Sequence, residues 1–82
     1  MAKNEKIWRK IVKVKGNSLF PMDMLRYDRC YPLKGEDAQA MGLRDSERTV
    51  TLVFVGLHSN EQPTVDRWKS FGWTVTSVED MD

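Results

Sequence analysis

Eighty-two residues, 40% of them hydrophobic and 30% charged, with a formal net charge of +1, describe a chain sized for one small domain. The longest apolar run, Leu52–Leu57, is too short for a membrane helix, and a lone cysteine, Cys30, leaves no internal disulfide to staple a secreted fold. Met1–Lys6 is followed by no apolar run of signal-peptide type, so the expected compartment is the cytoplasm.

The first element in chain order is a strand over Ile7–Lys15. Trp8, Lys10, Val12 and Val14 alternate with Ile7, Arg9, Ile11, Lys13 and Lys15, the period of a half-buried strand with Val12 and Val14 turned inward. Lysines along it suit the edge of a sheet, where they discourage pairing with another chain. Gly16-Asn17-Ser18 then turns the chain.

A short helix is predicted over Pro21–Asp28, with Pro21 in its first turn and Asp23 favouring the positive end of the helix dipole. Phe20, Met24 and Tyr27 share one face at this spacing. Tyr31-Pro32 breaks the helix, because the residue before a proline is driven from helical angles. A second short helix is predicted over Glu36–Met41, stopped by a left-handed Gly42 with Leu43 folding back onto Ala38.

Arg48–Leu57 is the strongest strand signal. It is rich in β-branched residues and apolar on both faces, as a central strand should be. His58–Gln62 is a polar loop. The segment from Pro63 to Ser70 reads as a helix with Val65, Trp68 and Phe71 on its inward side. Gly72 supplies its left-handed stop, which predicts a contact between Trp68 and Trp73. The last strand covers Trp73–Val78.

The expected fold class is therefore α+β. It is a three-stranded sheet in the order strand-helix-helix-strand-helix-strand, with helices packed on the sheet. The second and third strands are expected to be parallel if they pair through the intervening helix. The chain reads as a single domain over 1–82, with flexible termini at 1–5 and 79–82.

The residues that could carry chemistry are few. One cysteine and one histidine do not make a zinc site, and no Asp-rich calcium loop occurs. Neither a Gly-rich phosphate loop nor a serine nucleophile elbow is found. His58 could act as an acid or base and Cys30 as a nucleophile, but a lone loop histidine is usually solvated and a lone cysteine usually packs as a small hydrophobe. No enzyme, metal or cofactor is expected.

Charge is unevenly distributed. Lys3, Lys6, Arg9, Lys10, Lys13 and Lys15 face only Glu5 in the first fifteen residues, whereas acids outnumber Arg67 and Lys69 after residue 48. Asp23, Arg26, Asp28 and Arg29 surround Met24, Leu25 and Tyr27 in a charged group able to form an arginine–carboxylate surface.

Two clusters, Phe20-Pro21-x-Asp23-Met24-Leu25-Arg26-Tyr27-Asp28 and Pro63-Thr64-x-x-Arg67-Trp68-x-Ser70-Phe71-Gly72-Trp73, resemble those of small accessory proteins of tailed bacteriophages. The resemblance covers about a third of the chain. It implies a viral protein acting in the infected bacterial cytoplasm, and it assigns no activity to particular residues.

Two functions follow as expectations. The first is a non-enzymatic protein-binding module, a phage factor that binds and inhibits a host protein, with Trp8, Arg26, Tyr27 and Arg29 as contact residues. The alternative is nucleic-acid binding through the basic first strand, using Arg9, Lys10, Lys13 and Lys15.

Overall fold

The computed structural model describes residues 9–56 and 64–81. The elements are β1 (Arg9–Gly16), α1 (Asp23–Tyr27), β2 (Cys30–Pro32), α2 (Gly35–Met41), β3 (Arg48–Val55), α3 (Val65–Ser70) and β4 (Trp73–Asp80). The fold is α+β, with four strands rather than the expected three. The additional strand, β2, is only three residues long and ends on a proline, too short to show a period in sequence.

The strands form one antiparallel sheet in the order β2-β3-β1-β4. β3 is interior, as its two apolar faces required. β1 is interior too, and not the edge its lysines suggested. Those lysines alternate with valines, so the strand has one wet face and one dry face without lying at the rim. β3 and β4 run in the same direction but do not pair, because β1 lies between them and bonds to both. Each of β1-α1-β2 and β3-α3-β4 thus brackets a strand of the other unit. This is the interleaved split β-α-β connectivity of ferredoxin-like sandwiches, with α2 inserted between β2 and β3.

The three helices pack on one face of the sheet. Val12 and Val14 of β1, Val50, Leu52 and Phe54 of β3, Cys30 of β2 and Trp73 of β4 meet Phe20, Met24 of α1, Met41 of α2 and Trp68 of α3 in a single core. The two tryptophans are fully buried, as expected, but their ring contacts run through Phe20. Its ring centroid lies 5.5 Å from that of Trp68 and 5.2 Å from that of Trp73. Offset and edge-on contacts of this kind add to the stabilisation from buried area. Val65 and Phe71 are exposed, and Trp68 alone fills the inward side of α3. A six-residue helix offers the core less than two turns, so one large side chain covers it.

Glycine stops behave differently at the two helix ends. Gly72 has φ +87°, the left-handed stop anticipated, and its N–H donates to the Lys69 carbonyl. Gly42 has φ −82°, an ordinary helical angle; α2 closes instead with Gly42 and Leu43 donating to Gln39 and Ala40. Replacing Gly72 with alanine is expected to destabilise the fold by about 1 kcal/mol or more, since φ is strained for any side chain. The new Cβ would also lie 3.1 Å from Ser18 Oγ. An unchanged melting temperature would contradict this.

β4 extends to Asp80, so residues 79 and 80, expected to be flexible, belong to the sheet opposite Ile11 and Lys10. The pairing slips at a bulge. Lys13 faces Ser77 and Val14 faces Val75, leaving Thr76 extra, with its hydroxyl donating to the Lys13 carbonyl. Trp73 and Val75 point inward before the bulge, Val78 and Asp80 after it. The expected flexible segment 1–5 lies outside the described residues.

Candidate protein-binding surface

α1 and α3 are joined by one carboxylate. Asp28, just past α1, accepts hydrogen bonds from the Arg67 guanidinium and from the Trp68 indole N–H, the latter at 3.0 Å. The same Arg67 lies over the Tyr27 ring, 4.4 Å from its centroid. Asp28 is therefore turned toward α3, and does not join Asp23, Arg26 and Arg29 in the local network anticipated.

This latch holds Tyr27 out of the core. Phe20 and Met24 are buried as their spacing implied, but Tyr27 is 71% exposed, the most exposed of the large hydrophobic residues described. Asp28 and Arg29 end the helix here, and Arg29 adopts φ +53°. A left-handed non-glycine residue turns the backbone sharply into β2. Arg26 and Arg29 are both exposed beside Tyr27.

Further apolar side chains are exposed on the segments that lead into α1 and bound α3. Leu19 and Met22 precede α1, and Val65 and Phe71 bound α3, each between 38% and 55% exposed. Ser18 Oγ donates to the Phe71 carbonyl at 3.3 Å, bringing the Leu19 loop against the end of α3. Among the described residues, five of the eight exposed large hydrophobics thus belong to the segments of α1 and α3. Tyr, Phe, Met and Arg are the types enriched where proteins meet, and exposed apolar residues gathered on one side mark such places. Arg26, Tyr27 and Arg29 are the residues expected from the sequence, and Leu19, Met22, Val65, Phe71 and Arg67 are exposed or stacked here without having been expected. Helical spacing placed Val65 and Phe71 in the core, and nothing local signalled a stack between Tyr27 and a residue forty positions away. Trp8, the fourth expected contact, lies outside the described residues.

The opposite face of the sheet carries no helix among the described residues. Arg9, Lys13 and Lys15 are exposed there, around a row formed by Ile11, Val53 and Tyr31 across β1, β3 and β2. Lys10 is not with them. It shares the core-side face with Val12 and Val14, is 6% exposed, and its ammonium pairs with Asp80 on β4. Lys15 is paired loosely with Glu47 at 3.8 Å, an exposed contact of small energetic weight. Proteins that bind single strands on a sheet use aromatic rings on its central strands. The central positions here are Ile11 and Val53, and Tyr31 is the aromatic residue of this face among those described.

The candidate nucleophile is buried. Cys30 packs in the core and its thiol points to the Met24 carbonyl at 3.5 Å. Burial, and secondarily the nearby Asp28 carboxylate, pushes its pKa up to about 12, so the thiolate is suppressed at neutral pH. His58 lies outside the described residues. No cluster of three or more metal-ligating side chains occurs among the described residues.

Comparison with protein-family models, curated proteins and solved structures returns no match. The α1–α3 side therefore stands on its geometry alone.

Proposed function

We propose that this chain is a small non-enzymatic protein-binding module that uses the α1–α3 side as its contact surface. The observation that carries this reading is Tyr27, 71% exposed and held outward under the Arg67 guanidinium. An aromatic ring already fixed by a stacked cation loses little freedom on binding, which favours it as an interface anchor. Arg26 and Arg29 flank it, and Leu19, Met22 and Phe71 supply apolar area. In the setting that the phage resemblance implies, the module is an accessory factor that binds and inhibits a host protein in the bacterial cytoplasm.

A nucleic-acid reading retains Arg9, Lys13 and Lys15, which share the helix-free face, and loses Lys10, which is committed to Asp80. One experiment separates the two. Affinity capture from bacterial lysate is run with wild type, Tyr27→Ala/Phe71→Ala and Lys13→Ala/Lys15→Ala, each variant first confirmed as folded by circular dichroism. The expected result is a protein partner lost by the Tyr27/Phe71 variant and kept by the lysine variant. Material lost by the lysine variant and destroyed by nuclease supports the alternative. Equal capture by all three removes the α1–α3 assignment.

A further inference from the structure

The two rims of the sheet are finished in opposite ways. On the β2 side the edge is closed. β2 is three residues long and ends in Pro32, which has no N–H to offer. Beyond it the Leu33 N–H donates to the Thr51 carbonyl, and the buried Asp37 carboxylate accepts the Thr51 N–H at 2.9 Å while also accepting the Lys34 N–H at the start of α2. Short length, a proline and a side chain occupying the ladder are devices that stop a sheet from growing.

β4 has little of this. It is eight residues long, bonds to β1 on one side, and pairs with no strand on the other among the described residues. Trp73–Val78 contains no lysine, arginine or proline and is mostly Thr and Val, the composition of a strand that accepts a neighbour. Val75 and Val78 pack against the core yet remain half-buried, because nothing among the described residues flanks them on the outer side.

We propose that β4 is a self-pairing edge, through which two copies of this chain join antiparallel about a two-fold axis and continue the sheet. Charge selects the orientation. Glu79 stands at one end of β4, and Lys15 lies beside Thr74 at the other. Parallel pairing would set Glu79 against its own copy, whereas antiparallel pairing brings it next to Thr74, two strand spacings (about 10 Å) from Lys15 and within reach of both long side chains. The bulge at Thr76 selects the register. It shifts the inward residues from Trp73 and Val75 to Val78 and Asp80, so placing Val75 opposite Val78 of the second copy keeps inward residues facing inward residues along the whole strand. That register sets Thr74 opposite Glu79. A second copy is favoured over a foreign peptide because the strand complements itself in both side-chain face and charge.

Sedimentation equilibrium on the full chain over micromolar to millimolar concentration tests this, with circular dichroism confirming that each variant is folded. Wild type is expected to show a monomer–dimer equilibrium. Thr74→Glu, which sets like charges opposite in the proposed register, is expected to raise the dimer Kd at least tenfold. Adding Glu79→Lys to that variant is expected to recover most of the loss, which a general disturbance of the strand would not allow. A wild type that stays monomeric at millimolar concentration overturns the proposal, as does a dimer indifferent to Thr74→Glu or a double variant that fails to recover.

Discussion

Arg48→Ala is expected to lower unfolding stability by about 3 kcal/mol, because one guanidinium joins three separate parts of the chain. Its Nε and two terminal nitrogens donate to the carbonyls of Ala40, Ser46, Leu43 and Ser18, at distances from 2.5 to 3.0 Å. Ala40 is in the last turn of α2, where carbonyls lack helical partners. Leu43 and Ser46 belong to the loop before β3, and Ser18 to the turn after β1. The guanidinium carbon also lies 4.9 Å from the Trp73 ring centroid. Removing the side chain leaves the Ser18, Leu43 and Ser46 carbonyls without this donor, leaves Ala40 with the Leu43 N–H, and uncovers the indole. In a domain this small the loss should appear as a fall in Tm of roughly 10–20 °C. Arg48→Lys should recover only a minor part, since a single ammonium cannot reproduce a planar fork spread over four acceptors. Thermal melts of wild type and both variants check this, and a lysine variant equal to wild type would show that charge alone matters.

Gly16→Ala should be comparably damaging for a steric reason. A Cβ at Gly16 would stand 2.6 Å from Trp73 Cδ2 and 2.8 Å from the Gly72 carbonyl oxygen. The indole is fully buried against Phe20 and cannot withdraw, and the carbonyl is backbone. Overpacking of this severity costs about 3 kcal/mol, with displacement of β4 from the end of β1. Gly35→Ala provides the contrast. Nothing lies within 4 Å of its Cβ, it begins α2, and alanine there should leave stability unchanged or slightly raised. Urea denaturation of the two variants in parallel would show whether the difference follows the space available. Equal stability would refute the argument.

Local rules recovered those features whose causes are local. The alternation of β1, the β-branched run of β3, the limits of α2 to within a residue, the left-handed Gly72 and the burial of Trp68 and Trp73 all follow from neighbouring residues. The sheet order does not, because β1 bonds to residues some forty and sixty positions later and no short window records that. Lys10 illustrates the same limit. Its period placed it on the face of Val12 and Val14, yet a lysine on a dry face makes sense only with Asp80, at the far end of the chain. The proposed contact surface was half legible. Tyr27, Arg26 and Arg29 stood out by type, but the cation that orients Tyr27 comes from α3, and the exposure of Phe71 reflects how little of so short a helix the core can accept.

The interleaved strand order also governs when the molecule can fold. β1 is the earliest of the described strands in chain order and, like β3, is bonded on both sides, so it has no strand partner until β3 has been synthesised and no second one until β4 follows. Topologies dominated by such distant pairings fold slowly, because loop closure must precede the contacts that reward it. Until then, Val12 and Val14 remain open to solvent on a growing polypeptide. A product interrupted after α3 would lack Trp73 in the core and leave one rim of β1 open, making incomplete chains ready substrates for chaperones and proteases while the finished protein covers both.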